Sequence, residues 1–279
     1  MPLKRYKPTT PSRRHSSVLR HTREGIQKPQ PSLLANRAIH AGRNASGRIT
    51  VRHKGGDHRR KYRIMDFVNP VVDTPGTVVG IQYDPNRSAA IALLEYPGGT
   101  RAYTLAVDKL ALGATLTSSR TKQLEIKPGN RMALKHIPAG ITICNIELAP
   151  MRTATAVRSA GSSATVLSTE GERVQIKMPS GEVRMFSGDC LATVGQVSNT
   201  EWNLVRLGKA GRMRHRGVRP RVRGKAMNVV DHPHGGGEGR SPIGMKRAKT
   251  AWGKPARGVP TRAKHKASDA VIIRRRKKK

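Results

Sequence analysis

The positive charge of this chain lies almost entirely in its two ends, which restricts where a hydrophobic core can form. The chain has 279 residues, with 54 Lys+Arg against 17 Asp+Glu and a formal net charge of +37. Residues 1–65, 66–200 and 201–279 carry net charges of +15, +2 and +20. Because clustered like charges oppose compaction, we expect only the central segment to fold by ordinary burial. The ends are predicted to become ordered around a polyanion, the alternative being solvated, disordered tails.

The rest of the composition excludes several classes of protein. Aromatic residues make up 3% of the chain, so a broad base-stacking surface is not expected. Cys144 and Cys190 are too few for a disulfide-rich scaffold or a four-cysteine zinc site. Both lie in apolar runs, where a free thiol is usually a small buried residue, and they favour a reducing compartment. No apolar run approaches the length of a bilayer span, so we predict no membrane partner.

The central segment alternates short apolar runs with turn residues, a pattern typical of all-β domains. Pairs such as Pro97-Gly98 and Pro128-Gly129 mark the turns. The spacing predicts two small barrels rather than a parallel sheet, with a boundary near residues 120–130. Strands are predicted over residues 77–83, 89–96, 101–107, 132–134, 141–148, 164–168, 174–178, 183–186 and 190–197, with a loop over residues 115–121.

The C-terminal region contains one candidate helix. Asn199 or Thr200 would cap residues 201–207, and Gly208 would end them. Gly and Pro then recur, occupying 16 of the 79 positions of residues 201–279, and no hydrophobic period is sustained. We therefore predict an extended arm after Gly208.

Residues 47–63 form the first motif that could bind RNA. Gly55-Gly56 lets the backbone approach a phosphate closely, and arginine can donate to two phosphate oxygens at once. A solvated basic strand and turn is the alternative. The chargeable side chains of this motif, which we predict to contact RNA, are Arg48, Arg52, His53, Lys54, Arg59, Arg60, Lys61 and Arg63.

Residues 207–228 form the second motif, in which a cation recurs every two or three residues with glycines between. An extended chain of this kind can follow an irregular RNA surface, whereas a DNA-reading helix would need longer helical continuity. The pattern therefore favours RNA over duplex DNA. Its cations are Lys209, Arg212, Arg214, Arg216, Arg219, Arg221, Arg223 and Lys225.

Residues 231–240, with the sequence DHPHGGGEGR, allow several interpretations. His232 and His234 could bind a metal with Asp231, but no further ligands follow at a familiar spacing. The loop lacks the glycine patterns of nucleotide-binding loops. A catalytic histidine is chemically reasonable, yet no partner arrangement supports it. We favour a loop of special backbone conformation that contacts RNA, and we predict no metal and no cofactor.

The last residues combine a short apolar anchor, Val271-Ile272-Ile273, with a terminal run of six cations. The run could pass for a nuclear-localisation signal, but phosphate binding is the simpler interpretation. We therefore add Arg274, Arg275 and Arg276, and also Arg240 of the third motif, to the predicted RNA-binding residues.

Taken in order, these segments resemble the bacterial-type family of large-subunit ribosomal protein L2. The resemblance covers nearly the whole chain, and VDHPHGGGEGR is its most specific motif. It is carried by YKPTTPSRR, GRITVRHKGG, YDPNRSAAIALL, IKPGN, IPAG, RSAGSSA, MPSGEVR, ATVGQV, LGKAG, VDHPHGGGEGR and the terminal RRR.

The resemblance implies a mainly β fold, with an OB-fold barrel followed by an SH3-like barrel and long basic N- and C-terminal extensions. The implied segments are an N-terminal extension over residues 1–41, an OB-fold-like RNA-binding barrel over residues 42–124, an SH3-like barrel over residues 125–200 and a Gly-rich C-terminal extension over residues 201–279. Arg87, in the YDPNRSA segment, joins the predicted RNA-binding residues.

The resemblance further implies a structural constituent of the large ribosomal subunit. Its partners would be large-subunit ribosomal RNA, neighbouring ribosomal proteins, the small subunit and tRNA, in the cytoplasm or in an organelle that encodes its own ribosomal proteins. The loop directed toward the peptidyl-transferase region would comprise Asp231, His232, His234, Gly235, Gly236, Gly237 and Glu238. We predict no enzymatic activity of the chain itself; an RNA-modifying transferase and a nucleoid protein are the alternatives.

Four places depart from the family pattern and affect local loop shape. Asp57 follows Gly55-Gly56 where a third glycine is usual, and residues 150–157 replace a Gly-rich stretch. His215 stands where tryptophan is common, and Val229 where proline is common.

Overall fold

The apolar runs of the central segment form the strands of a mainly β fold, as predicted. The structure is a computed structural model and describes residues 3–19, 24–26, 28–67, 73–238 and 241–276. Its strands, in chain order, are β1 (Leu3–Arg5), β2 (Ser17–Leu19), β3 (Glu24–Gly25), β4 (Leu34–Ala35), β5 (Tyr62–Arg63), β6 (Gly76–Gln82), β7 (Ile91–Glu95), β8 (Arg101–Leu105), β9 (Thr115–Leu116), β10 (Ser118–Ser119), β11 (Arg131–Ala133), β12 (Thr142–Cys144), β13 (Ala164–Glu170), β14 (Arg173–Lys177), β15 (Val183–Ser187), β16 (Leu191–Val194) and β17 (Ile272–Arg274).

Helices are short in the described residues. The α-helices are α1 (Pro11–Arg14) and α2 (Ala210–His215), and single 3-10 turns cover Pro31–Leu33, Leu134–His136, Thr200–Leu204, Gly224–Ala226 and Ala267–Asp269. No helix among the described residues is long and apolar enough to cross a bilayer.

The chain divides into two compact units, each built from segments distant in sequence. The first comprises residues 1–38, 59–209 and 267–279, and the second comprises residues 39–58 and 210–266. The first unit contains both main sheets.

The first sheet of that unit has five strands in the order β3-β6-β7-β8, with β9 paired to β6, and every pairing is antiparallel. The second has eight strands in the order β10-β11-β16-β12-β13-β14-β15-β17, and only its β10–β11 pair is parallel. Both sheets are curled into barrel-like arrangements consistent with an OB fold and an SH3-like fold, which confirms the predicted fold class.

The two sheets share one hydrophobic core. Tyr103 and Ile91 of the first sheet and Ile143 and Ile176 of the second are fully buried in the same cluster. Backbone contacts reinforce the junction, since residues 107 and 197 form a bridge. Burial of these side chains contributes about 1.5–3 kcal/mol each to folding, so we expect both sheets to unfold together.

A buried carboxylate links strands β11 and β16 of the second sheet to the segment that contains Arg120. Glu147 is inaccessible to solvent and accepts from Arg120 Nη2 (2.9 Å), from Arg131 Nη2 (3.2 Å) and from the backbone N–H of Leu191 (3.1 Å). Arg131 lies on β11 and is itself buried. Burial lowers the pKa of the Arg131 guanidinium, while the charge of Glu147 raises it. The two side chains therefore form a buried ion pair. Removing either one would leave the other charge poorly compensated in the core, which would destabilise the fold.

Several local predictions were wrong for identifiable reasons. Residues 115–121 were predicted as a loop but contain β9 and β10. The strand predicted over residues 141–148 ends at Cys144, because Asn145 adopts a left-handed conformation (φ 49°) that leaves the ladder. The helix predicted over residues 201–207 is a 3-10 turn, and Asn199 makes no side-chain cap.

The extensions also contain elements that the sequence analysis did not predict. α2 interrupts the arm that was predicted to be extended, and β17 adds the end of the chain to β15. In the N-terminal extension, β1 pairs with β2, and the backbone N–H of Ser17 donates to the carbonyl of Arg206 (2.9 Å). The four predicted segment boundaries stay predictions.

Both thiols are expected to be unreactive while the protein is folded. Burial raises the pKa of Cys144 to about 12 and that of Cys190 to about 11. Since an unfolded thiol ionises near pH 8.5, the thiolate fraction of Cys144 at pH 8 falls by a factor on the order of 1000. Ellman's reagent should react with neither thiol at pH 8 until urea unfolds the chain; rapid reaction with native protein would contradict this.

The same shifts have a consequence for pH dependence. The folded state keeps both thiols protonated, whereas the unfolded chain releases these protons above about pH 8.5. The two protonated thiols therefore make their full contribution to the free energy of unfolding below about pH 8.5, and this contribution is lost as the pH rises further.

Candidate nucleic-acid interface

The first two basic motifs meet in the second compact unit as an antiparallel ribbon. The backbone N–H of Gly55 donates to the carbonyl of Gly217 (2.9 Å), and that of Arg219 donates to the carbonyl of His53 (3.1 Å). Lys54 and Val218 form a β-bridge between them. These bonds join residues more than 160 positions apart, so two motifs that looked separate in the sequence share one surface. We call residues 52–58 and 215–220 the basic ribbon.

Close packing at the ribbon explains two of its glycines. Gly56 has φ 73° and faces the guanidinium of Arg214, which would lie 3.2 Å from a Cβ at this position. Gly217 has φ 85°, and its Cβ would lie 2.9 Å from that of Asp57. Left-handed backbone of this kind favours glycine. Because Gly217 has no side chain, it leaves space for the side chain of Asp57.

Two imidazoles pack at the end of the ribbon. The rings of His58 and His215 lie 4.4 Å apart between centroids, tilted by 47°. The backbone N–H of His58 donates to the carbonyl of His215 (3.2 Å). His215 is therefore part of an aromatic contact within the ribbon.

Most of the predicted RNA-binding cations are solvent-exposed, as a phosphate contact requires. Arg60, Arg63, Arg87, Arg212, Arg214 and Lys225 are partly buried. Arg240 lies outside the described residues. The exposed members are Arg48, Arg52, His53, Lys54, Arg59, Lys61, Lys209, Arg216, Arg219, Arg221, Arg223, Arg274, Arg275 and Arg276.

The histidines of the Gly-rich loop are held by backbone hydrogen bonds. His232 Nδ1 accepts from the backbone N–H of His234 (3.0 Å), and His234 Nε2 accepts from that of Lys249 (2.9 Å). The two rings lie 4.8 Å apart. These bonds give the histidines a role in loop conformation.

The glycines of this loop allow the backbone to fold tightly against itself. A Cβ on Gly235 would lie 2.2 Å from the carbonyl oxygen of Asn228, and one on Gly237, at φ 86°, would lie 2.0 Å from Ser241 Oγ. A Cβ on Gly224 would lie 2.5 Å from the ring of His232, so the absence of a side chain at Gly224 leaves space for this ring. Side chains at these positions would displace the loop, so its backbone conformation depends on glycine here.

In the first compact unit, a buried carboxylate holds two of the predicted RNA-binding arginines. Asp84 is inaccessible to solvent, and its carboxylate accepts from Arg87 Nε (2.6 Å) and pairs with Arg63 Nη1 (3.6 Å). The backbone N–H of Asn86 also donates to it (2.9 Å). Arg60 Nη1 donates to the carbonyl of Pro85 next to this site (2.6 Å). These arginines are positioned by the protein, which leaves fewer donors for RNA.

A further cation lies at this site, Arg158, which was not predicted from the sequence. Arg158 lies over the ring of Phe67 at 4.7 Å, and Arg87 lies over the same ring at 5.5 Å. Burial lowers the pKa of Arg158, and the nearby charge of Arg87 lowers it further. Both arginines line an open cleft of about 710 Å³, together with Tyr62, Asn86 and Ser159. Arg158 belongs to the RSAGSSA motif, which could have indicated it from the sequence.

The predicted side chains thus fall into distinct groups. The second unit holds the basic ribbon and the Gly-rich loop, the Asp84 site holds Arg63 and Arg87, and Arg274 lies on β17. Within the described residues, no cluster of three or more His, Cys, Asp or Glu side chains could hold a metal ion.

Two family models match the chain over most of its length. Residues 30–118 match the model described as "Ribosomal Proteins L2, RNA binding N-terminal domain". Residues 127–253 match the one described as "Ribosomal Proteins L2, C-terminal domain". The matched ranges include the basic ribbon, the Asp84 site and the Gly-rich loop.

Proposed function

Because this chain belongs to the ribosomal protein L2 family, we propose that it binds large-subunit ribosomal RNA beside the peptidyl-transferase region, where it supports subunit association and tRNA placement. Membership makes it a structural, RNA-binding component of the large ribosomal subunit. The finer placement follows from the family resemblance, and the basic surfaces of the chain support the RNA binding that it requires.

The observation that carries the proposal is the charge gathered in the second compact unit. Residues 39–58 and 210–266 together contain 20 Lys+Arg and 3 Asp+Glu, giving this unit a net charge of +17. The basic ribbon brings cations from both halves of the chain to one place. Repulsion between so many cations opposes the folding of a small unit. Phosphate groups bound to these cations would remove that repulsion.

The Gly-rich loop is proposed to approach the peptidyl-transferase region as a backbone surface. Gly235, Gly236 and Gly237 carry no side chain to keep RNA at a distance. His232 and His234 hold the loop through their accepting nitrogens. Their engagement with backbone amides favours a structural role over proton transfer, in agreement with the structural character of the family.

The RNA-contacting residues are proposed to be the exposed cations of the basic ribbon, of residues 219–223 and of the terminal run. Arg87 and Arg158 are proposed as a second contact, because both line the open cleft above Phe67. Small-subunit, tRNA and neighbouring-protein contacts follow from the family resemblance alone.

Sucrose-gradient sedimentation of a cell lysate tests the proposal. The chain should co-migrate with the large ribosomal particle at one copy per particle, and ribonuclease should release it. A chain that migrates alone with or without ribonuclease would contradict ribosomal assembly. To test placement, hydroxyl-radical cleavage from a probe tethered at residue 238 should cut ribosomal RNA at the peptidyl-transferase region; cuts confined elsewhere would overturn it.

A further inference from the structure

The most exposed aromatic side chain of the second unit lies at the tip of a well-defined hairpin. Trp252 is 76% exposed. Lys249 and Pro255 form a β-bridge, and the backbone N–H of Thr250 donates to the carbonyl of Lys254 (2.8 Å). Gly253 closes the turn at φ 75°, with its N–H bonded to the carbonyl of Thr250 (3.0 Å). The indole is therefore presented outward by a constrained turn.

A cation lies over the ring of this indole. The guanidinium of Arg52, from the basic ribbon, lies 5.6 Å from the ring centroid of Trp252. This cation–π contact helps to orient the ring. The high exposure of Trp252 leaves further ring surface accessible to a planar partner.

The hairpin is also connected to the Gly-rich loop. The backbone N–H of Lys249, at the base of the hairpin, donates to His234 Nε2. The hydrogen bond that holds one histidine of the loop therefore also holds the hairpin that bears Trp252.

We propose that Trp252 stacks on an unpaired nucleobase of the large-subunit ribosomal RNA, an inference that rests on the proposed RNA binding. Lys249 and Lys254 are exposed beside it, and the unit carries a net charge of +17. An apolar protein partner would bury these ammonium groups at a cost. A nucleotide offers a π face to the indole and a phosphate to the lysines.

Tryptophan fluorescence of the full-length chain tests the stacking directly. The chain has two tryptophans, Trp202 and Trp252, so Trp202→Phe leaves Trp252 as the sole indole. Saturating purified large-subunit ribosomal RNA should strongly quench its emission. The matched variant Trp252→Phe retains only Trp202 and should show little quenching. Unchanged Trp252 emission at saturation would overturn the proposal, as would quenching seen only in assembled subunits, which indicates a protein partner.

Affinity measurements separate stacking from simple apolar contact. Trp252→Leu should weaken RNA binding by roughly 5- to 100-fold, as loss of one stacked base does, with the salt dependence unchanged because no phosphate contact is lost. Trp252→Phe should restore most of the affinity. Equal affinities of wild type and Trp252→Leu would refute the stacking while leaving RNA binding intact. A wild-type chain that does not bind the RNA would overturn the proposed function and this inference together.

Discussion

Replacing Glu147 by alanine is expected to lower the free energy of unfolding by about 3–5 kcal/mol. The carboxylate is inaccessible to solvent and pairs with the buried Arg131 at 3.2 Å. Its removal takes away the hydrogen-bonded counter-charge of a buried guanidinium and the acceptor of the Leu191 N–H. A loss of this size is a large fraction of the stability of a typical domain. Urea denaturation followed by circular dichroism measures it.

An exposed ion pair provides the control for this experiment. Glu125 contacts Lys127 at 2.7 Å, but both side chains are more than 60% exposed. Glu125→Ala should change the urea midpoint little, since surface pairs contribute little to stability. Glu147→Gln should fall between the two, because an amide keeps an acceptor but not the charge. Equal midpoints for Glu147→Ala and Glu125→Ala would show that the buried pair does not stabilise the second sheet.

Replacing Arg219, Arg221 and Arg223 together by glutamine is expected to reduce the salt dependence of RNA binding. Each lost phosphate contact lowers the slope of log affinity against log salt by about 0.7–0.9, so the slope should fall by about 2–3. At low salt the affinity should drop by about 100-fold or more. Filter binding to purified large-subunit ribosomal RNA at several salt concentrations measures both quantities.

The matched control replaces three exposed cations of the near-neutral central segment, Lys122, Arg173 and Lys177, by glutamine. It removes the same charge from the chain, so a general electrostatic effect would alter both variants alike. We expect the control to keep most of the wild-type slope. If the two triple variants lose the same slope, the basic surface of the second unit has no special part in binding.

Local patterns predicted much of the fold because its strands are short and bounded by turns. β6, β7 and β8 follow the predicted runs to within two residues at each end. The failure at Asn145 has a local cause, since apolar alternation over residues 141–148 cannot reveal one left-handed residue. β17 was missed because Ile272 and Ile273 form a strand only by pairing with β15, more than 80 residues earlier.

The candidate interface could be predicted as a set of side chains but not as a surface. The basic motifs and the Gly-rich loop stand out in the sequence through spacing and composition. Nothing local indicates that His53 meets Pro220, 167 positions away. Similarly, Asp84 looks like a turn residue until its burial against Arg63 and Arg87 is seen. Long-range pairing determined these arrangements.

The basic ribbon sets an order of events during synthesis. Residues 52–58 leave the ribosome that makes this chain long before residues 215–220, with which they pair. At a synthesis rate of about 5–20 residues per second, the delay is roughly 10–30 s. During that interval strands β3 to β16 of the first compact unit have time to pair, while residues 52–58 remain without their partner strand. The second unit can therefore close only after most strands of the first unit have been made, and the pairing of β17 with β15 follows later still.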